Sequence, residues 1–222
     1  MLLRAFHLDF TPYPVRTLLV KRSLLVVASL IAAAPAAAQP TVDVPRVPAS
    51  APIMIDGFFA SDEWADARVV PVAGSVRLHL KQVGEHVFIG VSTGTRVPRP
   101  VDLYLQAEDG SIHQLHASAQ IGERHLPATG WGDESPAWRW GNHVDWIANE
   151  AKLDSERPRD APFSARTFPS EGVEFQIRRS RYPGREWKLR VDVGYFPGNE
   201  GSYRYPERAT DDPASWMRVR LP

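Results

Sequence analysis

Cysteine is absent from all 222 residues, which rules out disulfides, a thiol nucleophile, cysteine-ligated zinc and iron–sulfur clusters. Charge of one sign is missing too, since 26 basic residues stand against 26 acidic ones. Without residues 1–38 the balance is 22 basic against 25 acidic, and no basic face of the kind that binds nucleic acid is present. Long apolar runs are lacking as well. Leu24 to Ala34 holds eleven uncharged residues, well short of the roughly 20 that a membrane-spanning helix needs, and no later segment is longer and more apolar. Catalytic signatures are equally scarce, with no G-x-S-x-G elbow, no H-E-x-x-H and no Gly-rich phosphate loop.

The N-terminus carries an export pattern. Lys21-Arg22 precedes the apolar run, and Ala36 and Ala38 supply the small residues for cleavage before Gln39. The expected location is therefore periplasmic or secreted, with no lipid-attachment cysteine to hold the chain to a membrane. Residues 1–19 precede the usual start of such a signal. Either translation begins at Val20 or the signal has a long first region, and N-terminal sequencing of the precursor tells the two apart. The chain divides into 1–38 (extension and cleavable signal peptide), 39–52 (a lead-in containing Pro45, Pro48 and Pro52) and 53–222 (one domain).

Within that domain Ile53 to Ala67 is the organising stretch. Asp56-Gly57 turns the chain, Ser61 is placed to cap a short helical turn with Asp62 and Glu63 in it, and Trp64 and Ala67 face inward. The stretch is expected to close one end of a β domain. Strand signals dominate thereafter. Val76, Leu78 and Leu80 alternate with Arg77, His79 and Lys81, and Val87, Ile89 and Val91 continue the pattern beyond Gly84. Val101 to Ala107 and Ser111 to Ile121 flank Asp109-Gly110, a strong hairpin dipeptide. The second of these runs directs Leu115, Ala117, Ala119 and Ile121 inward and Gln114, His116, Ser118 and Gln120 outward. Further strands are expected over 143–151, 171–179, 186–194 and 215–221. Eight or nine strands with one short N-terminal helical turn and no long helix make an all-β antiparallel sandwich of the jelly-roll or immunoglobulin-like kind.

Gly122 to Asn142 breaks the pattern with 21 residues of Gly, Pro and charge, and loops that long are usually functional or disordered. Trp131, Trp138 and Trp140 lie within ten residues there, with Asp133, Glu134, Arg139 and Asn142 interleaved. Sugars present flat apolar C–H faces beside hydroxyls, so aromatic platforms with hydrogen-bonding neighbours suit them. Trp138 and Trp140 are two apart and share a face in extended backbone. The competing expectation is that these rings plug the core; Trp64 and Trp187 are assigned there.

Metal signals are sparse. His113 and His116 point to opposite faces of a strand, and His79 and His86 have no evident third ligand. No cofactor is expected. Calcium stays open, because Asp102, Asp109, Asp145, Asp211 and Asp212 are available oxygen ligands without EF-type spacing.

The I-D-G…E-W…A opening resembles that of family-9 carbohydrate-binding modules and the wider DOMON-like sandwiches. So do V-R-L-H-L-K with H-V-F-I-G-V, the D-L-Y-L-Q-A-E-D-G-S hairpin, and V-E-F-Q-I-R-R-S followed by W-K-L-R-V-D-V. The likeness spans about residues 53–221. It implies an antiparallel sandwich, often exported, in which aromatic side chains clamp a terminal sugar. Some DOMON-like relatives bind haem through Met and His, but Met54 and Met217 are expected in the core. The chain departs from the family at Arg178-Arg179-Ser180, where a hydrophobic–Pro–Leu turn is usual. The expected role is non-catalytic binding of a carbohydrate or glycan by Trp131, Trp138 and Trp140, with Arg139, Asn142 and Asp133 as polar partners. The alternatives are an envelope domain that binds another protein, and a small glycan hydrolase.

Overall fold

A computed structural model describes residues 39–48, 53–126, 137–141, 143–194 and 202–222. They form an all-β sandwich. One sheet runs in the order β1 (Thr41–Asp43), β14 (Met217–Arg220), β12 (Glu186–Val193), β6 (Val101–Gln106), β7 (Ile112–Ala117), β8 (Ile121–Leu126) and β9 (Arg139–Trp140), with β13 (Tyr203–Tyr205) also on β12. The other runs β10 (Trp146–Ala148), β11 (Gly172–Arg178), β5 (His86–Ser92), β4 (Val76–Val83) and β2 (Arg46–Val47), with β3 (Arg68–Ala73) also on β4. Nine of these strands have four or more residues, of which β3 and β8 lie outside the runs expected from alternation; the other five have two or three, too few to show a period.

The core lies where the two inner faces meet. Val76, Leu78, Leu80, Val87, Ile89 and Val91 from one sheet pack on Val101, Leu103, Leu105, Leu189, Val191 and Trp187 from the other. Each is fully buried.

Several expectations change. The lead-in joins the sandwich, because β1 pairs with β14 and β2 with β4, both in parallel, so the sheets are mixed at those two places rather than wholly antiparallel. Pro45 sits between these strands, where its missing N–H costs no ladder bond. The run 111–121 is two strands, not one. Ser118 N donates to Gln120 O (3.0 Å) and Gln120 N to Ser118 Oγ (3.4 Å), so a serine-built turn reverses the chain without Gly or Pro and leaves Ala119 exposed. Met54 is 60% exposed, on the rim of the opening stretch, whereas Met217 is core.

The opening stretch lies across the outer face of the β10–β2 sheet instead of closing an end. Its helix α1 (Ser61–Trp64) takes Ala60, not Ser61, as N-cap. Phe59 fits over Gly90 and Gly172, where added Cβ atoms would stand 2.5 and 2.9 Å from its ring. Trp64 buries beside it, with ring centroids 5.4 Å apart, and donates from Nε1 to Glu174 Oε1 at 2.8 Å. Glu174 Oε2 accepts from the backbone of Asp56 (3.0 Å) and Gly57 (2.7 Å). Lys81 secures the far end through Asp66 (2.8 Å) and the Glu63 carbonyl. His79, beneath the two rings, is held down to about 4 by burial and by the neighbouring charge of Arg77.

Candidate functional site

The outer face of the β1–β9 sheet is built differently. Where the inward set is aliphatic, the alternate residues are charged, amide or aromatic, and strand register sets them in rows. Arg204, Asp192, Asp102, His116, Gly122 and Trp140 are successive partners across six strands. At the usual strand spacing that row is about 24 Å long. Arg190, Tyr104, Gln114 and Arg124 form the row beside it.

At one end the chain folds back over this face. Arg190 lies 3.7 Å over the Tyr104 ring and 5.5 Å from that of Trp216, and bonds to Thr210 O (2.9 Å) and Asp211 Oδ1 (2.8 Å). Burial pushes the Tyr104 hydroxyl up to about 12. Arg204 grips Asp192 through two bonds of 3.0 Å each. Tyr104, Ile112, Leu126, Ala209 and Trp216 make a second small apolar cluster there.

At the other end the face is open and aromatic. Trp138 and Trp140 stack at 4.9 Å between centroids, with planes 20° apart, and Trp140 is 53% exposed. These two rings therefore do not plug the core. Trp140 lies on Gly122, where a Cβ would come within 2.5 Å of the indole, so the bare strand position is what lets the ring lie flat on the sheet. The Arg124 guanidinium stands 4.7 Å from the Trp138 ring centre. His116 meets both rings edge-on, at 5.8 and 5.9 Å.

The polar groups beside the rings are mutually held. Asp102 Oδ1 accepts from Gln114 Nε2 (2.8 Å) and pairs with His116 Nδ1 (2.9 Å). Arg124 Nε donates to Gln114 Oε1 (2.7 Å). His116 Nε2 pairs with Ser118 Oγ (2.9 Å). Carboxylate, imidazole and hydroxyl in this order match the relay of a serine hydrolase. Here, however, Ser118 Oγ is also tied to the Gln120 backbone in its own turn, so the hydroxyl caps that turn.

Of the residues singled out by sequence, the structure brings together Trp138 and Trp140. Arg139 lies between them, paired in register with Glu123, so alternation turns it to the opposite face. Trp131, Asp133 and Asn142 lie outside the described residues. Asp102, Gln114, His116, Gly122 and Arg124 were not singled out as a site. The outward alternation on β7 marked two of them, Gln114 and His116, but only register across strands shows that the five adjoin the Trp pair. The carboxylates weighed for calcium are separated: Asp109 caps its own turn onto Ser111, Asp145 is near Arg178, Asp211 holds Arg190 and Asp212 caps Ala214. Among the described residues no three His, Asp or Glu side chains are grouped to hold a metal, and no helix is long and apolar enough to cross a membrane.

No protein-family model and no curated protein matches the chain. Among solved structures it is similar to a family 9 carbohydrate-binding module from Caldicellulosiruptor kristjanssonii in complex with cellotriose. The TM-score is 0.47 and the identity 12%, over 82% of this chain and 93% of that one.

Proposed function

We propose that this chain is an exported, non-catalytic carbohydrate-binding domain whose ligand lies on the open end of the β1–β9 sheet. The observation that carries the reading is the Trp138–Trp140 stack, with Trp140 exposed, beside a fixed set of hydrogen-bonding groups. The rings offer an apolar platform for sugar C–H faces. Asp102 and Arg124 offer an acceptor and donors, and His116 and Gln114 fix their orientation before the ligand arrives, which lowers the ordering cost of binding. Trp131, Asp133 and Asn142 are proposed as further contacts.

The test is a titration of intrinsic Trp fluorescence of the full chain against mono- and oligosaccharides, repeated on a Trp138→Ala/Trp140→Ala variant. A saturable change is expected in the parent. Affinity should fall by about 30-fold or more in the variant, the factor that corresponds to losing about 2 kcal/mol at an aromatic hot spot. Because Trp140 is half-exposed, the variant should keep its fold. Absence of any response across the panel would overturn the reading in favour of a protein partner.

A further inference from the structure

The sequence departs from the family pattern at Arg178-Arg179-Ser180, and that segment borders a cleft of about 640 Å³ remote in register from the Trp pair. Its walls come from four parts of the chain. Arg46 belongs to β2 and is in register with Gln82 of β4. Glu85 sits in the β4–β5 turn, Arg179 in the short 3₁₀ turn after β11, and Arg185 in the connection to β12. Three arginines and one glutamate thus line the cleft. Arg179 Nη1 donates to the Pro222 carbonyl (2.7 Å). Arg46 and Arg185 have no side-chain hydrogen bond or ion pair with any described residue; on the rim, the Arg185 backbone N–H donates to Glu108 Oε2 (2.8 Å).

Gln82 supplies the second observation. It continues the core-facing set of β4 to the end of the sandwich and is 1% exposed. Its Nε2 donates to Gly84 O at 3.0 Å, while its Oε1 is buried without a partner among the described residues. A buried acceptor left unmatched is costly. Gln82 lines the same cleft as the arginines.

We infer that this cleft is a second binding site, for a compact oxyanion that also carries a hydroxyl. The guanidinium groups of Arg46, Arg179 and Arg185 take the oxyanion, for which their planar forks are suited. The hydroxyl donates to Gln82 Oε1. A uronic acid meets this description through its carboxylate and ring hydroxyls, and hydrogen phosphate through its own P–OH. The inference stands independently of the sugar-binding reading.

Isothermal titration calorimetry on the full chain at fixed ionic strength tests it, with glucuronate, inorganic phosphate, acetate and neutral glucose as probes. Saturable millimolar or tighter binding of glucuronate or phosphate is expected, with acetate weaker because it has no hydroxyl. Glucuronate alone would assign a carboxylate sugar, and phosphate alone a phosphate group. An Arg46→Ala/Arg185→Ala variant should lose about tenfold or more in affinity, the effect of removing charge-assisted bonds. Trp138→Ala/Trp140→Ala should bind the anion as the parent does, which separates this site from the aromatic one. Binding of neither oxyanion, or equal binding by the arginine variant, would overturn the inference. Equal affinity for acetate would remove Gln82 from the site.

Discussion

Replacing Glu174 by Gln changes one atom in a buried clamp, and the structure says what that atom does. Glu174 is fully buried, and its two oxygens accept from three donors: Trp64 Nε1, Asp56 N and Gly57 N. An amide can offer only one oxygen. Turned toward the backbone pair, it leaves the indole N–H facing an NH₂ group, so one buried donor goes unmatched, at about 1–3 kcal/mol. The other orientation leaves two. For a domain of this size that corresponds to a fall in Tm of about 2–12 °C. The pH dependence gives a sharper test. Burial pushes the Glu174 carboxyl up from 4.5 to about 7, against the pull of the three N–H donors. A carboxyl raised on folding stabilises below its unfolded value and loses that contribution as pH rises through the folded one. Between pH 4.5 and 7 the parent should therefore lose roughly 3 kcal/mol from this group. Glu174→Gln should show a flatter profile there, and its deficit against the parent should be greatest at the acid end. Urea unfolding followed by Trp fluorescence across that range measures both. A variant with the parent's slope would refute the argument.

Gly122→Val should weaken sugar binding about as much as losing the Trp pair, because its side chain occupies the space under Trp140; Tm should barely move, since β-branched residues suit strands. Unchanged affinity would show that Trp140 does not act from that position. Glu123 has the opposite pH sign. Burial raises its carboxyl, but hydrogen bonds from His113 and Trp146 and the charge of Arg181 hold it well below the usual carboxylate range. Its stabilisation is present above 4.5 and lost as pH falls. Glu123→Gln should cost about 3 kcal/mol at neutral pH and flatten the acid limb of the stability curve, measured by the same urea unfolding.

Much of the sandwich was legible because burial imposes period 2 on any strand with one face in the core. Val76, Leu78 and Leu80, and Val101, Leu103 and Leu105, state that period without help from anything distant. The strand β8 hid because its central core-facing position is Glu123, a buried carboxylate matched by His113 on the next strand and by Arg181 and Tyr182 far along the chain. The turn before it hid because a serine side chain, not Gly or Pro, reverses the chain. The Trp pair was legible for the same reason as the strands: residues two apart share a face.

By itself the sequence determined which residues alternate, that no cysteine chemistry occurs, and that Trp138 and Trp140 lie side by side, all consequences of local geometry and composition. Tertiary structure decided what only distant register can. It laid Ile53 to Ala67 over a sheet face around Glu174, turned Arg139 away from the aromatic pair, and set Asp102, His116, Gly122 and Trp140 in one row. Each of those four comes from a different strand, and hydrogen-bond pairing between strands, which no local pattern encodes, is what makes them neighbours.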